Sequence, residues 1–187
     1  MYSFKRSFEA LILIEGGYAN HPFDKGGETA YGVTKTTAKA FGYEGEMSEM
    51  TLEQAQQIYK KGYWDKIKGD EISATSEVIA KVAFEIAVHR GVKDASVFLQ
   101  KALNAFNRNE IDYKDIKEDG SIGSKTIEAL KSLASKRKLE QVNHVVSTFM
   151  IVEHAYELNR FAEKDKNQEA FMFGWYLNRI KLNWETK

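Results

Sequence analysis

A single proline, Pro22, interrupts this chain of 187 residues, and that constrains the fold more than any other feature. Proline breaks helix interiors, so helices can run unhindered from about residue 34 onward. Apolar residues recur at helical spacing through most of the chain. Phe4, Phe8, Leu11 and Ile12 form one stripe that ends at Glu15, with Gly16-Gly17 as its stop. Thr34 can cap a short helix through Phe41, closed by Gly42. Thr51-Leu52-Glu53-Gln54 has the spacing of a capping box, opening a helix to about Tyr63. Residues 76–90, SEVIAKVAFEIAVHR, are apolar on most of their circumference and stop at Gly91, the pattern of a central, buried helix. Helices at about 94–107, 124–134 and 137–164 follow, then the aromatic stretch EAFMFGWYLNRIKL. No segment alternates convincingly with a period of two, although residues 17–33 have room for a short hairpin. The expected fold class is mainly α, in two lobes packed together with a boundary near 92–95.

Charge and composition remove several functions. The 27 basic and 27 acidic side chains cancel, which argues against a nucleic-acid partner and leaves an uncharged polymer such as a carbohydrate open. The chain has no cysteine, so disulfides, thiolate metal sites and cysteine catalysis are excluded. The run Leu11-Ile12-Leu13-Ile14, flanked by Glu9 and Glu15, is too short for a signal peptide core or a membrane span. Synthesis in the cytoplasm without a signal peptide is therefore expected, with no stable membrane insertion.

Residues 14–34, IEGGYANHPFDKGGETAYGVT, are the stretch with chemistry in it. Glycoside hydrolysis needs a carboxylic acid that protonates the leaving oxygen, and a second polar group that attacks or orients a water. The acid works best where apolar surroundings keep it protonated near neutrality. Glu15 closes an apolar helix, and five glycines among residues 16–33 let backbone approach a bulky polymer closely. Asp24 and Thr29 supply polar groups on that loop. Singly, Glu15 reads as a solvated helix end, Asp24 as a turn residue and Thr29 as a loop hydroxyl. A carboxylate at a helix C-terminus is nevertheless disfavoured by the helix dipole, which favours a functional reason for Glu15.

The string E-G-G-Y-x-N-x-P-x-D-x-G-G-x-T-x-x-G-V-T resembles the signature of glycoside hydrolase family 108, the N-acetylmuramidases (lysozymes) found among phage and prophage endolysins. Glu15, Gly16, Gly17, Tyr18, Asn20, Pro22, Asp24, Gly26, Gly27, Thr29, Gly32, Val33 and Thr34 carry it. Later segments, FEIAVHRGVKDASVFLQKALN, DGSIGSKTIEAL and FGWYLNRI, are similar to the helical peptidoglycan-binding domain that often follows. The resemblance implies a lysozyme-like helical catalytic lobe with a small loop or hairpin at the active site over residues 1–93, packed on a helical peptidoglycan-binding lobe over 94–187. The spacing is also similar to that of the T4-type phage lysozymes and their Glu, Asp, Thr trio. Eight residues separate Glu15 from Asp24 and four separate Asp24 from Thr29, one fewer than in that trio. By this resemblance Glu15 is the general acid, and Asp24 and Thr29 position or activate the water.

Tyr18, Asn20, Tyr31, Gly32, Glu85 and His89 are the candidate substrate-binding positions, with Tyr18, Tyr31 and Trp64 able to stack on sugar rings; for Trp64 a core role is preferred. Where the family pattern carries Asp and Asn, this chain has Glu85 and His89, four apart on one helical face. They read equally as a cleft floor or as a carboxylate and a histidine satisfying each other. His21 reads as an exposed loop residue, and His144 and His154 as structural. Phe171, Phe173, Trp175 and Tyr176 read as core of the second lobe, and Lys136-Arg137-Lys138 as a solvated helix start.

The resemblance implies a monomeric peptidoglycan hydrolase without metal or cofactor. It would cut the β-1,4 bond between N-acetylmuramic acid and N-acetylglucosamine, and reach the wall from the cytoplasm after release through a holin. A lytic transglycosylase on the same bond and a non-catalytic wall-binding protein are the rivals.

Overall fold

The computed structural model describes residues 2–15, 17–19 and 28–180, with side chains described for 4–12, 17–18 and 28–180. Those residues form nine α-helices and three strands of two residues each. Helix α1 (Tyr2–Glu15) leads into a small antiparallel sheet of β1 (Tyr18–Ala19), β2 (Thr29–Ala30) and β3 (Val33–Thr34), in that order. Helices α2 (Lys35–Ala40), α3 (Leu52–Tyr59), α4 (Gly69–Ser73), α5 (Glu77–Arg90), α6 (Val92–Ala105), α7 (Ser124–Lys136), α8 (Leu139–Lys164) and α9 (Glu169–Arg179) follow. The mainly α fold expected from the sequence is the fold found.

Local signals set the helix starts. Thr34 accepts from the Thr37 amide at 3.2 Å to open α2. Thr51 and Gln54 form a reciprocal capping box at α3. Ser76 accepts from the Ile79 amide at 3.0 Å, and α5 ends at Gly91, whose φ of +100° suits a residue without a Cβ.

Helix α5 is the axis of the molecule, buried through Ile79, Ala80, Ala83, Phe84, Ile86 and Ala87. It packs against α1, α4, α6 and α8, so one continuous apolar core runs from Phe4 to Met150. At the α1 end Phe4, Phe8, Tyr59, Trp64 and Phe84 interlock, with neighbouring ring centroids 5.5–6.4 Å apart. Trp64 is fully buried and donates its ring N–H to Asp70 at 2.9 Å, which settles it as core.

Beyond Tyr59 the helix widens into a π turn over Lys60–Trp64, closed by the Asp65 amide on the Lys60 carbonyl at 2.8 Å. The wide turn buries Trp64 while Tyr63, 5.8 Å from the Tyr59 ring, is only half-buried. The capping box thus opens the helix as expected, but its last stretch is not α.

Two expectations about the second half are corrected. Lys136 and Arg137 are not a solvated helix start. Lys136 donates to the Asp112 carbonyl and Arg137 to the Asp112 carboxylate at 2.8 Å, while Arg108 holds the same carboxylate from its other side. The Arg108 hydrogen bond first, and then that of Arg137, hold Asp112 down to about 2. Helix α9 is not core: Phe171 is 56%, Phe173 80% and Tyr176 39% exposed, and no described residue of α9 is buried. The aromatic spacing there marks a face, but α9 lies on α8 and the 3₁₀ turn Lys166–Gln168 before it, and touches α5 through Trp175, edge-on to His89.

The polar stretch between α6 and α7 turns at Gly120, where Gln100 ties the loop by accepting from the Gly120 amide at 3.0 Å. Gly120 has φ +76°, and a Cβ there would sit 2.6 Å from Lys93 Cγ and 3.4 Å from the Lys93 carbonyl oxygen. Gly120→Ala is expected to destabilise by about 1–2 kcal/mol through left-handed backbone strain, read as a lower urea midpoint at unchanged slope.

Candidate active site

The site is built on the small sheet. β1 pairs with β2 through Tyr18↔Ala30 and Ala19↔Thr29, and β2 with β3 through Thr29↔Thr34 and Ala30↔Val33. Tyr31 and Gly32 make the two-residue turn between β2 and β3, at φ 52° and 74°. Both angles are what a type I′ hairpin turn requires; Gly32 adopts its angle freely, whereas Tyr31 does so under strain. Two hydrogen bonds hold Tyr31 there: its amide donates to the Gly17 carbonyl at 3.2 Å, and the Tyr59 hydroxyl donates to its carbonyl at 3.1 Å.

The first of these bonds matters for Glu15. Glu15 is the last residue of α1, and its Cα lies at most about 7.6 Å from that of Gly17, two virtual bonds away. Gly17 is tied to the hairpin turn, so the backbone of Glu15 is delivered beside Tyr31 and Gly32. The side chain of Glu15, and Asn20, His21 and Asp24 altogether, lie outside the described residues.

The ends of the segment that carries Asp24 are clamped. The Tyr18 hydroxyl donates to Glu28 Oε1 at 2.9 Å and Lys35 Nζ donates to Glu28 Oε2 at 2.9 Å. The Lys35 hydrogen bond, with that of Tyr18, holds the Glu28 carboxyl below the usual carboxylate range. Tyr18, expected to stack on sugar, thus spends its hydroxyl on the loop, although its ring remains 49% exposed.

A cleft of about 270 Å³ opens beside this sheet. Gly32, Val33 and Thr34 form one wall, with Thr37 below them. Ile58, Tyr59 and Tyr63 form a second, and Val88, His89 and Arg179 the third. Directly opposed residues of an antiparallel pair project to one face, so Thr29 shares the face of the cleft-lining Thr34, while Ala30 and Val33 are buried. Of the sequence-derived candidates, Gly32 and His89 line the cleft, Tyr31 forms its rim turn, and Thr29 stands one strand away. Glu85 lies one helical turn before His89 and makes an ion pair with Lys81 at 3.8 Å.

His89 finds its partner across the fold. Its Nδ1 is 2.9 Å from Nε2 of His154 on α8, and its ring meets Trp175 of α9 edge-on at 5.7 Å. The His89–His154 bond needs one ring nitrogen with a proton and one without, so it favours neutral imidazoles. Burial first, then the charges of Arg179 and Arg90, pushes His89 down from 6.5 to about 4. Burial, then His89, Arg90 and Arg179, pushes His154 to about 3. His154 was legible as structural but not as the partner of a cleft-lining histidine.

This pair makes stability pH-dependent. Both folded-state values lie below 6.5, so the unfolded chain takes up protons first as pH falls. The contribution is whole above pH 6.5 and drains away between 6.5 and about 3. Thermal melts over that range are expected to show a falling Tm, and His154→Phe is expected to flatten the fall.

Tyr59, Tyr63, Thr37 and Arg179 are site residues that sequence reasoning missed. The two tyrosines read as ordinary members of an amphipathic helix, and Arg179 is remote in sequence from everything else in the cleft. Among the described residues no group of three His, Asp or Glu side chains is placed to hold a metal ion. No described helix is long and apolar enough to cross a membrane.

Residues 8–91, which contain the sheet and all but one of the described cleft-lining residues, match the family model of glycosyl hydrolase 108. That span is a glycosyl hydrolase 108 domain. Residues 94–180 of the same hydrolase match a model described as a predicted peptidoglycan domain. Among solved structures, the chain is similar to that of SagA from Brucella abortus. The match has 26% identity and a TM-score of 0.67, over 96% of this chain and 90% of that one. No curated protein matches the sequence.

Proposed function

We propose that this family 108 hydrolase is a muramidase that cleaves the β-1,4 bond between N-acetylmuramic acid and N-acetylglucosamine in bacterial peptidoglycan. Glu15 protonates the leaving glycosidic oxygen. Asp24 and Thr29 position the water that completes hydrolysis. The peptidoglycan domain over residues 94–180 supports the polymer, and the tie from Gly17 to the hairpin supports the acid. That tie brings the end of α1 to the rim of a cleft whose walls are tyrosine rings, a glycine turn and threonines, surfaces suited to pyranose faces and hydroxyls.

The division of labour is a catalytic segment over residues 1–93 and a wall-binding segment over 94–187. Access to the wall by way of a holin and action as an endolysin monomer follow the same reading.

The test is release of soluble fragments from purified sacculi by the wild type, Asp24→Ala and Thr29→Val. The proposal expects both substitutions to slow release, Asp24→Ala by about 10²-fold or more if it orients the attacking water. Full activity of Asp24→Ala would contradict a water-positioning role and favour a mechanism that relies on Glu15 alone.

A further inference from the structure

The cleft continues past Thr37. Thr34, Thr37 and Phe41 follow one another at spacings of three and four, so one face of α2 runs from the cleft to the far end of the helix. The span from Thr34 to Phe41 advances about 10 Å at the helical rise, a distance that a glycan covers in a few sugar units. Ile58 of α3 lines the cleft and also a second hollow of about 190 Å³, where the end of α2 faces α3. Phe41 and Tyr43 form one side of this groove, and Gln54, Gln57, Ile58 and Lys61 the other.

Its lining has the chemistry of a sugar site. The Phe41 ring is 43% exposed and rests against Gly62, where a Cβ would come 3.0 Å from its Cζ. A side chain at that position would push on the ring, so the glycine lets an exposed aromatic lie in a fixed place. The Tyr43 hydroxyl donates to the Glu46 carbonyl at 2.8 Å, which anchors the rim, and buried Ile58 gives an apolar floor. The Gln57 amide both donates and accepts, as hydroxyl and acetamido groups do. The Gln54 oxygen is already taken by the Thr51 amide at 2.8 Å, which leaves Gln57 the fuller polar contact. A cavity of about 150 Å³ holds benzene, so this groove has room for a six-membered sugar ring.

We propose that the groove between α2 and α3 is a glycan subsite, which binds a sugar of the peptidoglycan strand a few units away from the bond held at the cleft. Phe41 stacks on the ring and Gln57 hydrogen-bonds its hydroxyl or acetamido groups. This rests on the reading of the cleft as the place where the glycan is cut.

The test measures binding of glycan strands of graded length, freed of stem peptides, to the full chain carrying Glu15→Gln, so that nothing is cleaved during titration. Phe41→Ala and Gln57→Ala are compared in that background, with thermal melts as the check on folding. Kd is expected to fall as the strands lengthen, until they reach the groove. Phe41→Ala should raise Kd about 5-fold on strands that reach it and leave that of shorter strands unchanged. Gln57→Ala should show the same length dependence at about 3-fold. Gln57 is exposed on α3, so this variant keeps the fold even where Phe41→Ala does not. In the unsubstituted background the same losses should appear in KM with kcat unchanged.

Penalties that are equal at every length, or absent at every length, would overturn the proposal. A penalty confined to strands that keep their stem peptides would also overturn it, by making the occupant a peptide. If the wild type cleaves no strand while the length-dependent penalty persists, the muramidase reading fails and the groove stands as a glycan site.

Discussion

Glu15→Gln is expected to lower peptidoglycan hydrolysis by about 10²–10⁴-fold, the range that a positioned general acid contributes. The glutamine keeps the shape and polarity of the side chain but has no acidic proton to give. Stability should move the other way. Glu15 ends α1, where the partial negative charge of the helix C-terminus disfavours a carboxylate by about 0.3–1 kcal/mol. The substituted protein should therefore melt at the same temperature or slightly above the wild type while failing to release fragments. Activity loss accompanied by a lowered Tm would mean that Glu15 holds the fold, not the reaction.

The largest effect on folding is expected at Trp64. Its ring is fully buried among Phe4, Phe84 and the backbone of Gly69, where a Cβ would come within 2.4 Å of the indole. Trp64→Ala removes that ring and leaves Asp70 without its indole donor, a loss of about 3–5 kcal/mol for the cavity alone. For a chain of this size that corresponds to a fall in Tm of roughly 6–20 °C. Trp64→Phe should fall between, since it refills most of the volume without the N–H. A shift under about 1 kcal/mol for Trp64→Ala, measured by urea denaturation, would show that the α1 end of the core collapses around the gap. The cleft shares Tyr59 and Tyr63 with this cluster, so Trp64→Ala should also raise KM.

The parts of this fold that were legible in the sequence are those fixed by neighbours in the chain. Capping hydroxyls at Thr34, Thr51 and Ser76 name their own helix starts. The apolar circumference of residues 77–90 marks α5 as central because no other environment would accept it. The glycine-rich opening motif left room for a short hairpin over residues 17–33, and the small sheet lies there, but the position of its turn was not legible.

What stayed hidden depends on contacts distant in sequence. His89 and His154 are 65 residues apart, and nothing local to either announces the other. The Lys136-Arg137 pair looked solvated because Asp112, its partner, lies on the far side of α7 in sequence. The aromatics of α9 have the spacing of a buried face, but periodicity reports that a face exists and not that anything covers it. The strain at Tyr31 was equally invisible, being imposed by Gly17 and Tyr59 on a residue whose type gives no hint of left-handed backbone.

The most direct measurement of the central claim is mass spectrometry of purified peptidoglycan after digestion by the wild type and by Glu15→Gln. The account predicts fragments ending in reducible N-acetylmuramic acid from the wild type and intact glycan from the variant. Fragments ending in 1,6-anhydro muramic acid, or intact glycan in both digests, would contradict it.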